Sequence, residues 1–141
     1  MPLIKSARNL DGSYGPSSNG YYYISKQDHR RTAKYKKDKT RWCIEEGEEY
    51  SVFKPAVEDY NAWFSKENNC IFSIIDSATV TLGKSGEKLA KFPNDRNEGE
   101  PWHGYPVSTD ESQNRPSSDQ LELLKDKLPL HVIVKIEKGT L

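Results

Sequence analysis

Apolar positions in this chain come in short bursts between polar stretches, and the rhythm within each burst predicts its conformation. Tyr21-Tyr22-Tyr23-Ile24-Ser25 is aromatic and β-branched and predicts a short strand. Arg41-Trp42-Cys43-Ile44 and Tyr50-Ser51-Val52-Phe53 predict two more, joined as a hairpin across the acidic turn Glu45-Glu46-Gly47-Glu48-Glu49. Cys70-Ile71-Phe72-Ser73-Ile74-Ile75 does not alternate, which predicts a central strand covered on both faces. Residues 79–82 and 88–92 flank Gly83-Lys84-Ser85-Gly86-Glu87 and predict a further hairpin, with Leu82, Leu89 and Phe92 pointing inward. Leu130, Val132, Val134 and Ile136 alternate with polar residues and predict a closing strand; Ile133 interrupts the polar face and leaves a short helix as the alternative.

Two stretches follow the helical period instead. Over residues 55–66, Val57, Tyr60, Trp63 and Phe64 share one face, Pro55 suits a first helical position, and Asn68-Asn69 suits the exit. Over residues 117–128, Ser117 and Gln120 have capping-box spacing, Leu121, Leu124 and Leu128 continue a face, and Pro129 stops it. The expected fold class is α+β, a single small mixed or antiparallel sheet of about five to seven short strands with these two helices. Residues 1–20, rich in Gly, Ser, Asn and Pro, read as a flexible N-terminal segment ahead of one domain over 21–141. Within that domain 93–117 is a long loop carrying Pro93, Pro101, Pro106 and Pro116.

Composition narrows this picture. The chain has 141 residues, an ordinary size for one domain, but only 34% are apolar and the mean hydropathy is −0.88. Eight Tyr, three Trp and four Phe supply large buried area per residue, so a modest core built on rings is expected. No run approaches a membrane span, residues 1–7 lack the apolar stretch of a signal peptide, and residues 138–141 are no lipidation signal. Cys43 and Cys70 stand apart in apolar runs and read as reduced core thiols. A cytoplasmic location is the expectation.

Charge changes the picture again. The formal net charge is zero, yet Arg30, Arg31, Lys34, Lys36, Lys37, Lys39 and Arg41 face only one acid, Asp38, in their segment. The remainder of the chain is correspondingly acidic, so the molecule is dipolar. Lysine and arginine attract phosphates, and Tyr35 and Trp42 offer rings for stacking on unpaired bases. The structural alternative for the segment is a solvated face that meets the acidic remainder.

Within the long loop, Glu100-Pro101-Trp102-His103-Gly104-Tyr105-Pro106-Val107 packs two prolines, a glycine and three ring side chains into eight residues. Such a segment should hold one shape. It is expected to stand outward, presenting His103 for proton transfer and Trp102 and Tyr105 as anchors for a partner. The structural alternative has Trp102 and Tyr105 plugging the loop onto the core and His103 satisfying a backbone carbonyl. Gly83-Lys84-Ser85-Gly86 lacks the frame of a phosphate-binding loop, His29, His103 and His131 lack metal-ligand spacing, and no motif implies a cofactor.

Three functions follow. The first is a protein-binding or regulatory module, immunity-like, adaptor or defence-associated, of the kind bacteria and phages use. It would work through Trp102, Tyr105 and the charge asymmetry. The second is a small metal-independent ribonuclease using His103, with Arg96 and the basic segment on the phosphate and His29 or His131 as the second proton-transfer group. The third is nucleic-acid binding without chemistry through Arg30, Arg31, Lys34, Lys36, Lys37 and Arg41.

Overall fold

A computed structural model describes residues 3–141. Its core begins with the rings that the composition promised. Phe53 and Phe92 meet edge to face at 5.2 Å between centroids, and Tyr23 lies 5.4 Å from Phe53 and 5.9 Å from Phe92. Trp102 joins Phe53 at 6.0 Å and Trp42 joins Phe92 at 6.3 Å. All five rings are buried, and each pair adds about 1 kcal/mol beyond its burial.

The secondary structure around them is mixed α+β. Strands β1 (Phe64–Ser65), β2 (Cys70–Ser73), β3 (Leu89–Pro93) and β4 (Tyr105–Val107) form one open antiparallel sheet in the order β1-β2-β3-β4. Helices α1 (Glu46–Glu58) and α2 (Tyr60–Trp63) pack on β2, α3 (Ser118–Leu124) packs on α2, and α4 (Leu130–Lys138) packs on α3. The Cys70 run is an inner strand, as its lack of alternation predicts, and all four of its residues are buried.

Among the described residues, four strands and four helices replace the five to seven strands and two helices expected. The largest difference is α1. The acidic run read as a turn is the helix start: the Glu45 amide donates to the Glu48 carboxylate at 2.9 Å, and Glu46, Glu48 and Glu49 lie in the first turn, where the helix dipole favours them. Tyr50, Val52 and Phe53 are therefore helical, and with Ala56 and Val57 they make the buried side. Pro55 sits inside this helix, not at its first position, and is exposed there. Helix 55–66 is consequently broken: α1 ends at Glu58, α2 follows, and Phe64 already pairs in β1.

Residues 130–138 are helix, not a closing strand. Val132, Ile133 and Ile136 form one buried face, while Leu130 is exposed. Gly139 closes the helix with φ 69°, its amide bonding the Ile136 carbonyl and the Thr140 amide bonding that of Lys135. In α3, Ser117 caps as expected and accepts from the Gln120 amide, but the helix stops at Leu124 rather than 128. Residues 79–82 form no strand, although the 83–87 turn closes and Leu82, Leu89 and Phe92 are all buried. The 21–25 segment contributes only bridges, Tyr23 to Tyr14 and to Trp102. Near the start of the described chain, Ser13, Tyr14 and Ser17 are buried. Cys43 and Cys70 are free thiols, Cys70 buried and Cys43 half-buried. Among the described residues no helix is long and apolar enough to cross a membrane.

One charged group lies inside this core. Glu49 is 0% exposed, accepting from the Tyr23 hydroxyl at 2.6 Å and the Ser25 hydroxyl at 3.0 Å. Burial pushes its carboxyl up to about 7, against the two hydrogen bonds that favour the ion. A folded-state value above the unfolded one means that the unfolded chain gives up this proton first as pH rises. The contribution of Glu49 is thus intact below about 4.5 and declines until pH passes about 7. Glu49→Gln should match the parent below pH 4.5 and exceed it above pH 7, by on the order of 3 kcal/mol. Chemical denaturation at the two pH extremes reads this; equal stabilities at high pH would contradict it.

Candidate functional site

The site is set by how the chain approaches the ring cluster from two directions. From one side, a single 3-10 turn at Gln27–His29 delivers His29. Its backbone carbonyl accepts from the Trp42 amide at 2.8 Å, so a fully buried tryptophan anchors the turn. From the other side, Trp102 is held in a short parallel bridge: its amide donates to the Tyr22 carbonyl at 2.8 Å, and its carbonyl accepts from the Ile24 amide at 2.7 Å. His103 follows directly, and Tyr105 then enters β4 opposite Lys91 of β3.

Gly104 makes that path possible. A Cβ there would stand 2.2 Å from the Phe92 ring and 2.6 Å from the Lys91 carbonyl, so any side chain would drive β4 off the core. Its neighbours His103 and Tyr105 turn to the surface, while its backbone lies on Phe92.

Together these elements place His29 and His103 on one open cleft of about 510 Å³, with Lys26, Asp28, Lys39, Asp95 and Tyr105. Tyr105 stacks on His29, centroids 4.7 Å apart and planes within 17°. His29 is 9% exposed, and its Nδ1 lies 2.6 Å from the Thr40 carbonyl oxygen. A carbonyl can only accept, so Nδ1 carries the hydrogen and Nε2 is left with the lone pair. Burial lowers the His29 pKa below the ordinary histidine value; the Thr40 hydrogen bond opposes this, and the charges of Lys39 and His103 add to the lowering. His103 Nε2 sits 3.3 Å from Asp95 Oδ1. A second arm of about 620 Å³ shares the lining residues His29, Lys39 and Tyr105 with this cleft and adds Tyr35, Lys37, Lys91 and Asn114.

The other candidate residues fall elsewhere. Trp102 does not stand outward: it is 1% exposed and lies beneath Arg96, whose guanidinium is 4.3 Å from its centroid. The plugging alternative describes this ring correctly, because a residue with so much apolar area is worth more to a small core than to solvent. Arg96 is not in the cleft. It donates to the Glu100 carbonyl at 2.8 Å and lines a separate pocket with Tyr21, Tyr60 and Asn94. His131 is exposed on α4 and borders neither arm.

The basic segment is neither a helix nor a single patch. Arg30 turns inward to the Ser25 hydroxyl and carbonyl, both at 3.0 Å, and to Glu46 at 3.3 Å. Lys36 pairs with Asp28 at 2.8 Å. Arg41 donates to the Ala33 carbonyl at 3.2 Å and lies over Tyr35. Arg31, Lys34 and Lys37 are exposed, and of these only Lys37 reaches the cleft. Among the described residues no group of three or more His, Cys, Asp or Glu side chains is arranged to hold a metal ion.

Sequence reasoning singled out His103 and Tyr105 but underweighted His29 and did not single out Asp95 or Lys39. The signal for His29 was weak: its turn carries no motif, and its partner His103 is distant in sequence.

Because burial is the main cause of the lowered His29 value and Tyr105 stacks on the ring, Tyr105→Ala should return His29 toward the ordinary histidine range. Titration of its imidazole signals by NMR follows this, and an unmoved midpoint would show that Tyr105 does not shield the ring. Comparison with family models, with curated proteins and with solved structures finds no match to this chain.

Proposed function

We propose that this protein is a small ribonuclease that cleaves RNA by internal transesterification, with His29 and His103 exchanging the protons. The observation that carries the reading is the pair of imidazoles on one open cleft, one of them held through Nδ1 by a backbone carbonyl, so that its neutral form carries the lone pair on Nε2, and the other beside a carboxylate. Two proton-transfer groups with different surroundings are what an acid–base pair needs.

In the proposed step, His29 Nε2 takes the proton from a ribose 2′-hydroxyl as that oxygen attacks the adjacent phosphorus. The bond from phosphorus to the 5′-oxygen breaks, and protonated His103 gives its proton to the departing oxygen. The products are a 2′,3′-cyclic phosphate and a 5′-hydroxyl, and the two rings end with their protonation states exchanged. Lys39, on the wall common to both arms, is the cation for the phosphate oxygens. Asp95 orients the His103 ring. The scheme uses no metal.

The protein-binding reading drew on Trp102, Tyr105 and the charge asymmetry; of these, Trp102 is buried under Arg96 and offers no surface anchor. Binding of nucleic acid without chemistry drew on the basic segment 30–41, of which Arg30, Lys36 and Arg41 are engaged within the protein.

His29→Ala and His103→Ala should each slow cleavage of single-stranded RNA about 10²- to 10⁴-fold. The acid limb of the pH–rate profile should lie below the ordinary histidine value, because His29 must be neutral to act and burial favours the neutral ring. Intact RNA after incubation with the parent protein, or products bearing a 3′-hydroxyl, would refute the mechanism.

A further inference from the structure

A nuclease centre must hold more than the scissile phosphate, and the second arm of the cleft has the features to hold the neighbouring nucleotide. Its most exposed ring is Tyr35, 71% accessible where a tyrosine gains nothing for the core. The ring is not adrift: Arg41 lies over it at 5.6 Å and is itself tied to the Ala33 carbonyl, so one face is supported and the ring still stands largely in solvent. Also lining the arm, Lys91 donates to the Gln113 carbonyl at 2.9 Å and to Asn114 Oδ1 at 3.2 Å.

The charges in the arm are uneven in a useful way. Lys39 lines both arms, while the second arm adds Lys37 and Lys91 together with Asp38, Glu87, Asp110 and Glu111. Carboxylates repel a phosphate but accept hydrogen bonds from base edges. Lys39, the lysine common to both arms, offers a phosphate a cation on the histidine side, and the carboxylates of the second arm offer a base hydrogen-bond acceptors.

We infer that the second arm is a nucleotide subsite for single-stranded RNA, with an unpaired base stacked on Tyr35 and its phosphate directed toward Lys39 and His29. The inference rests on the ribonuclease reading. A paired base stays stacked in its own helix and cannot present a face to Tyr35, so duplex RNA is excluded from the arm. Stacking on a protein ring is tolerant of sequence, so the subsite selects strandedness before base identity.

The test uses binding, which needs no turnover. Fluorescence anisotropy with a short labelled single-stranded DNA, which has no 2′-hydroxyl and cannot be cleaved by this route, measures affinity for the parent, Tyr35→Ala and Tyr35→Phe. Tyr35→Ala should weaken binding about tenfold and Tyr35→Phe should restore it; circular dichroism confirms that the exposed replacement leaves the fold intact. Unlabelled single-stranded RNA should compete for the probe and duplex RNA should not. Unchanged affinity in Tyr35→Ala, or equal competition by duplex, overturns the subsite. If the histidine variants lose cleavage while Tyr35→Ala binds normally, the chemistry stands and the subsite falls. If Tyr35→Ala loses binding while RNA is never cleaved, the nucleotide site stands and the ribonuclease reading falls.

Discussion

The contact on which everything else depends is the packing of the Phe92 ring against the bare backbone of Gly104. β3 and β4 can pair only if the chain passes that ring without a side chain of its own. The same contact faces two ways. Inward, Phe92 gathers Tyr23, Phe53 and Trp42 into the core. Outward, the residues on either side of Gly104 are His103 and Tyr105, which border the cleft. Core packing and site geometry are therefore not separable at this point, and a change in one is transmitted to the other at van der Waals range.

A second constraint is how little regular structure the site uses. His29 lies in a single 3-10 turn and His103 in an irregular segment. Their placement comes instead from large buried side chains next to them or bonded to their backbone: Trp42 holds the carbonyl of His29, and Trp102 precedes His103. A chain with few aliphatic residues has used tryptophan as both core filler and positional anchor. That division of labour also accounts for the burial of Trp102. The ring fixes the loop, and the smaller polar rings beside it meet solvent.

The sequence carried some of this plainly and some not at all. The Cys70 strand, the inward Leu82, Leu89 and Phe92, and the Ser117 cap were legible because each is set by local pattern. Helix α1 was misread because Tyr50, Val52 and Phe53 favour strands by composition and Pro55 looked like a helix start. What reversed both signals was tertiary: Glu45–Glu49 supply the helix N-terminus, and β2 supplies a surface for the buried face. In 130–138, alternation at every second residue mimicked a strand, whereas Ile133 and the Gly139 exit pointed to the helix that forms. The cleft was legible only by half. His103 and Tyr105 share a conspicuous local context, but His29, Lys39 and Asp95 join them through folding alone. No spacing along the chain encodes that meeting.

The buried Glu49 carboxylate leaves a thermodynamic trace. It is tied to Tyr23 and Ser25, a few residues before the turn that carries His29. Between the two ends of its titration range the native chain holds a proton that the disordered chain releases, so melting is coupled to an acid–base reaction with the medium. The heat absorbed on melting near neutrality will therefore depend on the ionisation enthalpy of the chosen buffer: an amine buffer and a phosphate buffer at one pH will return different calorimetric enthalpies for the same transition.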